Sequence, residues 1–437
     1  MDPQLLSLIG IGGFVTVIVL GLIGFPIAFS TAIIGLFGMA YLRGWEAATG
    51  FSGAIPYEAT TSYELSVLPL FVFMGYLAFQ MGATSEFYWA CRQWLGRIRG
   101  GLAMATVMGC AAFAACTGSG SATAAVFGKM AYPEMKKYGY DRNLSLGAVA
   151  CSAPLAIMIP PSAALVIYGV MAETNISQQL LAGFLPGLLT ATLFMAMISF
   201  RAWRNPNVAP AVAGVTWPER ISSLKGVWPI MTVILTVVGG LYFGIFTPTE
   251  AGAFGVFAAF AIGMVRRSLS WKGFKSAIID ATRTNCMLFT IIAGIFLFLR
   301  FLAITRLPFT IGDWITGLEI PGLAIIGMIL LLGMVLGMFM DVLGILLLVV
   351  PIALPAVRAL GYDPIWFGVL LVHVCEMGLV TPPVGLVSFA LKGVLPEVPL
   401  ESIFRSIIPY EMMMVVTLAV LLVFPQITLL LPNLMSG

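Results

Sequence analysis

Thr117-Gly118-Ser119-Gly120-Ser121 stands in the middle of an apolar stretch that runs from residue 101 to residue 137. Two glycines among three short hydroxyl side chains stop a helix. Glycine loses too much backbone freedom there, and serine and threonine offer the chain competing hydrogen bonds. The stretch is 37 residues long, too long for one crossing of a bilayer at ~20 residues. Broken at its centre, it makes two half-helices that enter and leave on one side. Residues 323–359 repeat the design and break at Met340-Asp341-Val342-Leu343-Gly344. Both read as re-entrant hairpins, because non-helical backbone at membrane depth survives only where protein or a wet cavity satisfies it.

The rest of the chain agrees. Of 437 residues 60% are apolar and only 9% charged, with a mean hydropathy of +1.03. A soluble domain carries roughly 25% charged residues, so a soluble enzyme is excluded. A net charge of +3 gives no reason to expect a nucleic-acid partner. Apolar runs predict helical spans over 6–24, 26–42, 63–82, 144–169 and 179–203, then over 227–246, 249–267, 284–304, 363–391 and 404–432. With the N-terminus outside, ten crossings and both hairpins returning to their own side, 18 of the 22 Lys and Arg fall inside. Arg43, Arg300, Arg306 and Arg358 stay outside. That bias is the one expected of a cytoplasmic face, and it puts both termini outside. The segments Trp45–Thr60, Ser85–Arg99, Trp217–Gly226, Leu269–Arg283 and Pro308–Leu318 mix aromatics with charges and read as helices lying at the interface.

The chain repeats at an offset of 222 residues. Pro133, Gly139-Tyr140-Asp141 and Pro160-Pro161 fall without a gap on Pro355, Gly361-Tyr362-Asp363 and Pro382-Pro383. The predicted fold is therefore an all-α polytopic membrane protein of two repeats, 1–210 and 211–437, each with five spans and one hairpin. Five is odd, so the second repeat is inverted. Inverted repeats with broken elements mark secondary transporters, whose cargo binds near the midplane.

Three constellations carry the chemistry. The tip Thr117 to Thr123 offers four hydroxyls and the positive end of the returning half-helix, which favours an anionic group. Ser152-Ala153-Pro154 through Pro160-Pro161-Ser162 breaks a span, and its prolines free carbonyls one turn earlier. Glu376-Met377-Gly378-Leu379-Val380-Thr381-Pro382-Pro383-Val384-Gly385 breaks the matching span. There Gly378, Thr381 and Val384 surround one break, faced by Gly337 and Asp341 of the second hairpin. A carboxylate such as Asp341 in a long apolar stretch is expensive without a task. Lys129, Arg300 and Glu376 are further charges inside predicted spans. His373 is the chain's one histidine, and the six scattered cysteines read as small buried hydrophobes. Gly128-Lys129 lacks the first glycine and the Ser/Thr of a phosphate loop, so energy must come from an ion gradient or a partner.

The stretches TGSGSATAAVFGKMAYPEMKKYGYD, APLAIMIPPS, GMFMD and GLVTPPVGL resemble the large membrane subunit of tripartite ATP-independent periplasmic (TRAP) transporters, the DctM-like M component. The likeness covers essentially the whole chain. It implies a sodium-driven elevator, with a transport domain of about 101–169 plus 323–391 moving against a scaffold of the remaining spans. It implies two or more coupling sodium ions. By motif, one would use Thr117 and Ser119 with carbonyls near Ala156, Ile159 and Pro161. A second would use Gly337, Gly378, Thr381 and Val384. Substrate would sit among Ser119, Ser121, Thr123 and Asp341. The tip departs from the family's Ser-Gly-Ser-Ser pattern, and Ala156 stands where glycine is usual. The likeness further implies a periplasmic binding protein that delivers an organic acid, and a small four-helix membrane subunit expected here as a separate chain. The expected function is sodium-coupled import of a small organic acid across the bacterial inner membrane. The alternatives are a stand-alone sodium–organic anion symporter of related architecture and, in another class, an intramembrane enzyme or scaffold subunit.

Overall fold

The computed structural model describes residues 3–435, apart from 118, 213–215, 309 and 312–319. Among these residues the regular elements are all helical. Seven helices are long and apolar enough to cross a membrane, or up to nine if each of two bent pairs is one span. The bent pairs are Trp45–Thr61 with Glu64–Gln80, at 59°, and Arg142–Met158 with Ala163–Met171, at 41°. Ile27–Arg43, Gly322–Gly337 and Pro364–Val380 are apolar but shorter.

Features recur at the sequence offset. Gly120–Lys137 and Val342–Ala359 are the returning arms of the two hairpins, and their bounds differ by 222 residues at both ends. The following helices open at Arg142 and Pro364, each capped by an aspartate. Asp141 accepts from the Leu144 N–H at 2.9 Å, and Asp363 from the Ile365 N–H at 2.7 Å. The turn before each cap needs a left-handed residue, supplied by Gly139 and Gly361 at φ 75° and 77°. Pro160-Pro161 and Pro382-Pro383 are both cis.

Two expected boundaries change. Leu269–Arg283 is not a separate interfacial helix, because Trp271–Thr305 runs unbroken for 35 residues. Ser270 caps its start by accepting from the Gly273 N–H at 3.0 Å, and nothing between them and Thr305 breaks the helix. The span expected over 404–432 splits into Leu400–Val423 and Pro425–Met435. Pro425 cannot donate to the preceding turn and forces Phe424 out of the helical region. The helices Trp45–Thr61 and Ala83–Leu95 fall on expected interfacial segments, while Trp217–Ser223 runs on into the spanning helix Trp217–Tyr242. Most of Pro308–Leu318 lies outside the described residues.

The helices sort into two packing groups. One contains Pro3–Leu22, Ile27–Arg43, Val67–Gln80, Pro248–Val265 and Trp271–Thr305. Ile27–Arg43 crosses Trp271–Thr305 at glycines: a Cβ on Gly35 would lie 2.8 Å from the Leu297 backbone, and one on Gly294 would run into the Ala28 carbonyl, so small residues let the helices meet. The other holds both hairpins and both broken spans. Ile176–Arg204 and Leu400–Val423 pack with this second group, not with the first, the outer group. Gly147 explains part of it, since a Cβ there would meet the Tyr410 ring at 2.5 Å, and the Tyr410 hydroxyl donates to the Leu144 carbonyl at 3.0 Å. Between the groups lies Ala83–Leu95. Its Glu86 pairs with Arg266 of the outer group at 2.8 Å, and its Arg92 pairs with Glu134 of the first hairpin at 2.7 Å.

The outer group keeps an apolar face uncovered. Phe29, Ile33, Phe37 and Tyr41 form an exposed stripe along Ile27–Arg43, spaced at four residues so that they share one side of the helix.

Candidate functional site

Each hairpin tip ends in a cap. Ser119 accepts from the Ala122 N–H at 3.4 Å, and Asp341 accepts from the Leu343 N–H at 3.3 Å. The positive ends of both returning arms are thus held at the tips. A cavity of about 310 Å³ opens beside them, large enough for a small metabolite. Ser119, Ser121 and Asp341 line it together with Pro161 of the first break, while Tyr76 and Thr284 reach it from the outer group. The Tyr76 and Thr284 hydroxyls are 3.0 Å apart. Phe71, Phe79, Phe113 and Leu379 supply apolar wall. Among the described residues no Lys, Arg or His lines it.

Three of the four expected substrate residues thus share one cavity. Thr123 does not line it. It is buried on another side of its helix, and its hydroxyl donates to the Ser119 carbonyl at 2.8 Å.

The second break brings its expected residues together. A Cβ on Gly378 would lie 2.6 Å from Gly337 Cα, so the hairpin and the broken span touch backbone to backbone. The Gly385 N–H donates to the Met338 carbonyl at 3.0 Å, which fastens the loop after Val384 to the hairpin tip. Gly385 sits at φ 62°, where a side chain would strain the chain. Pro364–Val380 ends here, and a helix end leaves its last four carbonyls without intrahelical partners. Thr381 follows. Its hydroxyl oxygen lies 2.7 Å from the Met377 carbonyl and 3.1 Å from Glu411 Oε1.

At the first break the tip and the span also meet: a Cβ on Gly120 would lie 3.3 Å from Pro154 Cα. Ala156 is buried in the single turn Leu155–Met158, and Ile159 leaves it in an extended conformation. Ser162 restarts the helix by accepting from the Leu165 N–H at 3.2 Å, and its hydroxyl donates back to the Ile157 carbonyl. The Thr117 side chain and Gly118 lie outside the described residues.

Of the remaining charges, Lys129 is exposed, and Arg300 faces Glu58 at 3.8 Å with both side chains over half exposed. Neither lines the cavity. Glu376 is fully buried, with Oε2 3.7 Å from His373 Nδ1, and His373 Nε2 lies 3.0 Å from the Met414 carbonyl. That carbonyl can only accept, so Nε2 carries the proton. Cys91, Cys110, Cys151 and Cys375 are buried as expected of small hydrophobes, but Cys286 is exposed. Sequence reasoning missed Tyr76, Thr284 and Glu411. Glu411 had a signal, a lone carboxylate inside the apolar run 404–432; Tyr76 and Thr284 had none.

A helical protein with this many apolar spans, and a largely apolar cavity edged by the hydroxyls and the carboxylate of two capped helix ends, belongs to the class of membrane permeases. The chain is a member of the family described as tripartite ATP-independent periplasmic transporter, DctM component, which matches residues 14–427. It is 33% identical over 379 residues to the C4-dicarboxylate TRAP transporter large permease protein DctM of Pseudomonas aeruginosa, covering 86% of this chain and 88% of that protein. It is 30% identical to the sialic acid TRAP transporter large permease protein SiaM of Vibrio cholerae, covering 95% and 96%. Its fold is similar to that of the Alcanivorax borkumensis YdaH transporter, with a TM-score of 0.61 at 13% identity over 87% of this chain and 89% of that one. The protein is thus a TRAP large permease and not an enzyme.

Proposed function

We propose that this permease imports a small organic acid across the bacterial inner membrane, driven by sodium, through an elevator movement. The observation that carries the reading is the cavity that both hairpin caps share with the first break, Ser119, Ser121 and Asp341 beside Pro161. An acid's anionic group is favoured at the positive end of the first returning arm, whose cap Ser119 is neutral, whereas the Asp341 carboxylate already occupies the second. Two coupling sodium ions would take carbonyl and hydroxyl oxygens at the breaks. The first would use the tip near Thr117 and Ser119 with Ala156, Ile159 and Pro161, the second Gly337, Gly378, Thr381 and Val384. Hard cations suit such oxygens. The relatives named above are described as carrying C4-dicarboxylates and sialic acid, both acids.

In this reading the two recurring units are inverted and both termini are periplasmic. The moving body is the hairpin group, now including Ile176–Arg204 and Leu400–Val423. The outer group stays fixed and is braced by a small four-helix subunit, and a periplasmic binding protein delivers the acid. Reconstitution tests it. Uptake into proteoliposomes should require an inward sodium gradient and the loaded binding protein together. Uptake of free substrate alone, or at full rate without sodium, refutes it. Thr381→Ala should lower sodium-dependent uptake about tenfold, a loss of ~1.4 kcal/mol, at normal expression. An unchanged sodium dependence removes Thr381 from the site.

A further inference from the structure

The Thr381 hydroxyl has two acceptors and one hydrogen. It lies 2.7 Å from the Met377 carbonyl and 3.1 Å from Glu411 Oε1. A hydroxyl gives one hydrogen bond and has two lone pairs to offer. The other carboxylate oxygen, Glu411 Oε2, is buried without a hydrogen-bond partner. No Lys or Arg pairs with Glu411 among the described residues. Its polar surroundings are Thr381 and His373 from the second broken span and Cys151 from the first. The His373 imidazole is committed to the Met414 carbonyl on one nitrogen and faces Glu376 on the other. A carboxylate in this position has one neutral donor and no counter-charge, and such a group is costly inside a membrane unless it takes up a proton or a metal cation comes to it.

The ligands assigned above to the sodium ion at the second break are all neutral: three carbonyl positions and one hydroxyl. We propose that Glu411 is the counter-charge of that cation, acting through Thr381. This rests on the sodium reading of the second break. When the Thr381 hydroxyl turns its hydrogen fully to Oε1, its lone pairs are released toward the cation. A charge-assisted hydrogen bond to a carboxylate outcompetes one to a carbonyl, and it leaves more negative charge on the hydroxyl oxygen. Glu411 stands on Leu400–Val423, outside the hairpins and broken spans, so the cation ties that helix to the break. Glu411 is a positioning residue here, and its effect is on cation affinity.

The test uses the purified full chain with its co-expressed membrane partner. Its melting temperature is followed as sodium chloride replaces choline chloride at constant ionic strength, and radioactive sodium binding is measured alongside. Wild type should be stabilised by sodium. Glu411→Gln, which keeps shape and removes charge, should raise the half-saturating sodium concentration at least tenfold without lowering the melting temperature in choline. Glu411→Asp, which keeps the charge on a shorter arm, should fall between the two. Equal half-saturation in wild type and Glu411→Gln overturns the proposal; if Glu411→Gln does not fold, equal half-saturation in Glu411→Asp overturns it. A wild type that neither binds sodium nor is stabilised by it refutes the sodium reading itself, which is a different result.

Discussion

Asp341 has two duties that substitution can separate. It caps the returning arm of the second hairpin, and it lines the cavity. Asparagine caps a helix about as well as aspartate, whereas alanine loses about 1 kcal/mol. Asp341→Asn should therefore keep the wild-type melting temperature while Asp341→Ala melts lower, and both should lose most uptake in proteoliposomes. If Asp341→Asn transports normally, the carboxylate serves only as a cap. Asp341 was legible in the sequence because its charge interrupts an apolar stretch. Glu411 sends the same signal, but the one proline near it, Pro409, lies inside an unbroken helix, and the paired glycine and proline breaks elsewhere drew the reading. Thr123 falls outside the cavity lining for a geometric reason. Ala122 and Val126 follow Ser119 and Ser121 along the cavity face, and the residue after Ala122 is turned about 100° away.

The hairpins and broken spans were readable because glycine and proline leave their mark in the backbone whatever surrounds them. What the sequence did not reveal was how closely the pieces meet. The contact of Gly337 with Gly378 depends on one helix of the second hairpin finding one turn of a span some forty residues later. Gly378→Ala tests it: the new Cβ would lie 2.6 Å from Gly337 Cα and 2.5 Å from the Met334 carbonyl. Both neighbours are backbone, so the helices must separate. Overpacking of this kind costs about 1–3 kcal/mol. The expected result is a lower melting temperature in detergent together with a weaker stabilisation by sodium. The two revised boundaries also have local causes. Ser270 starts a helix that the charges before Arg283 only seemed to delimit, and Pro425 ends one that the apolar composition would continue.

For the molecule as a whole, composition and periodicity predicted the all-helical membrane fold, while the partition into two groups needed contacts between distant segments. Ile176–Arg204 and Leu400–Val423 look like any other apolar span in sequence. Only Gly147 against Tyr410 and their companions show which side they join. The groups touch where Phe79 of Val67–Gln80 meets Phe113 of Gly101–Thr117, with ring centroids 5.4 Å apart. If one group slides past the other, this contact must break. Cysteines replacing both phenylalanines, in a background without the native cysteines, should form a crosslink that stops uptake. A reductant should restore it. Undiminished uptake with the crosslink complete refutes relative movement of the groups.

Ile27–Arg43 is 17 residues long, about 26 Å at 1.5 Å per residue, and its outer side is the stripe Phe29, Ile33, Phe37 and Tyr41. Hydrocarbon tails are about 30 Å deep from one leaflet to the other, and a bilayer thins beside a short apolar wall. Where lipid covers that flank, a helix this short would draw it inward by a few ångströms. A shallower barrier shortens the stroke that any cargo must make to leave one aqueous compartment for the next.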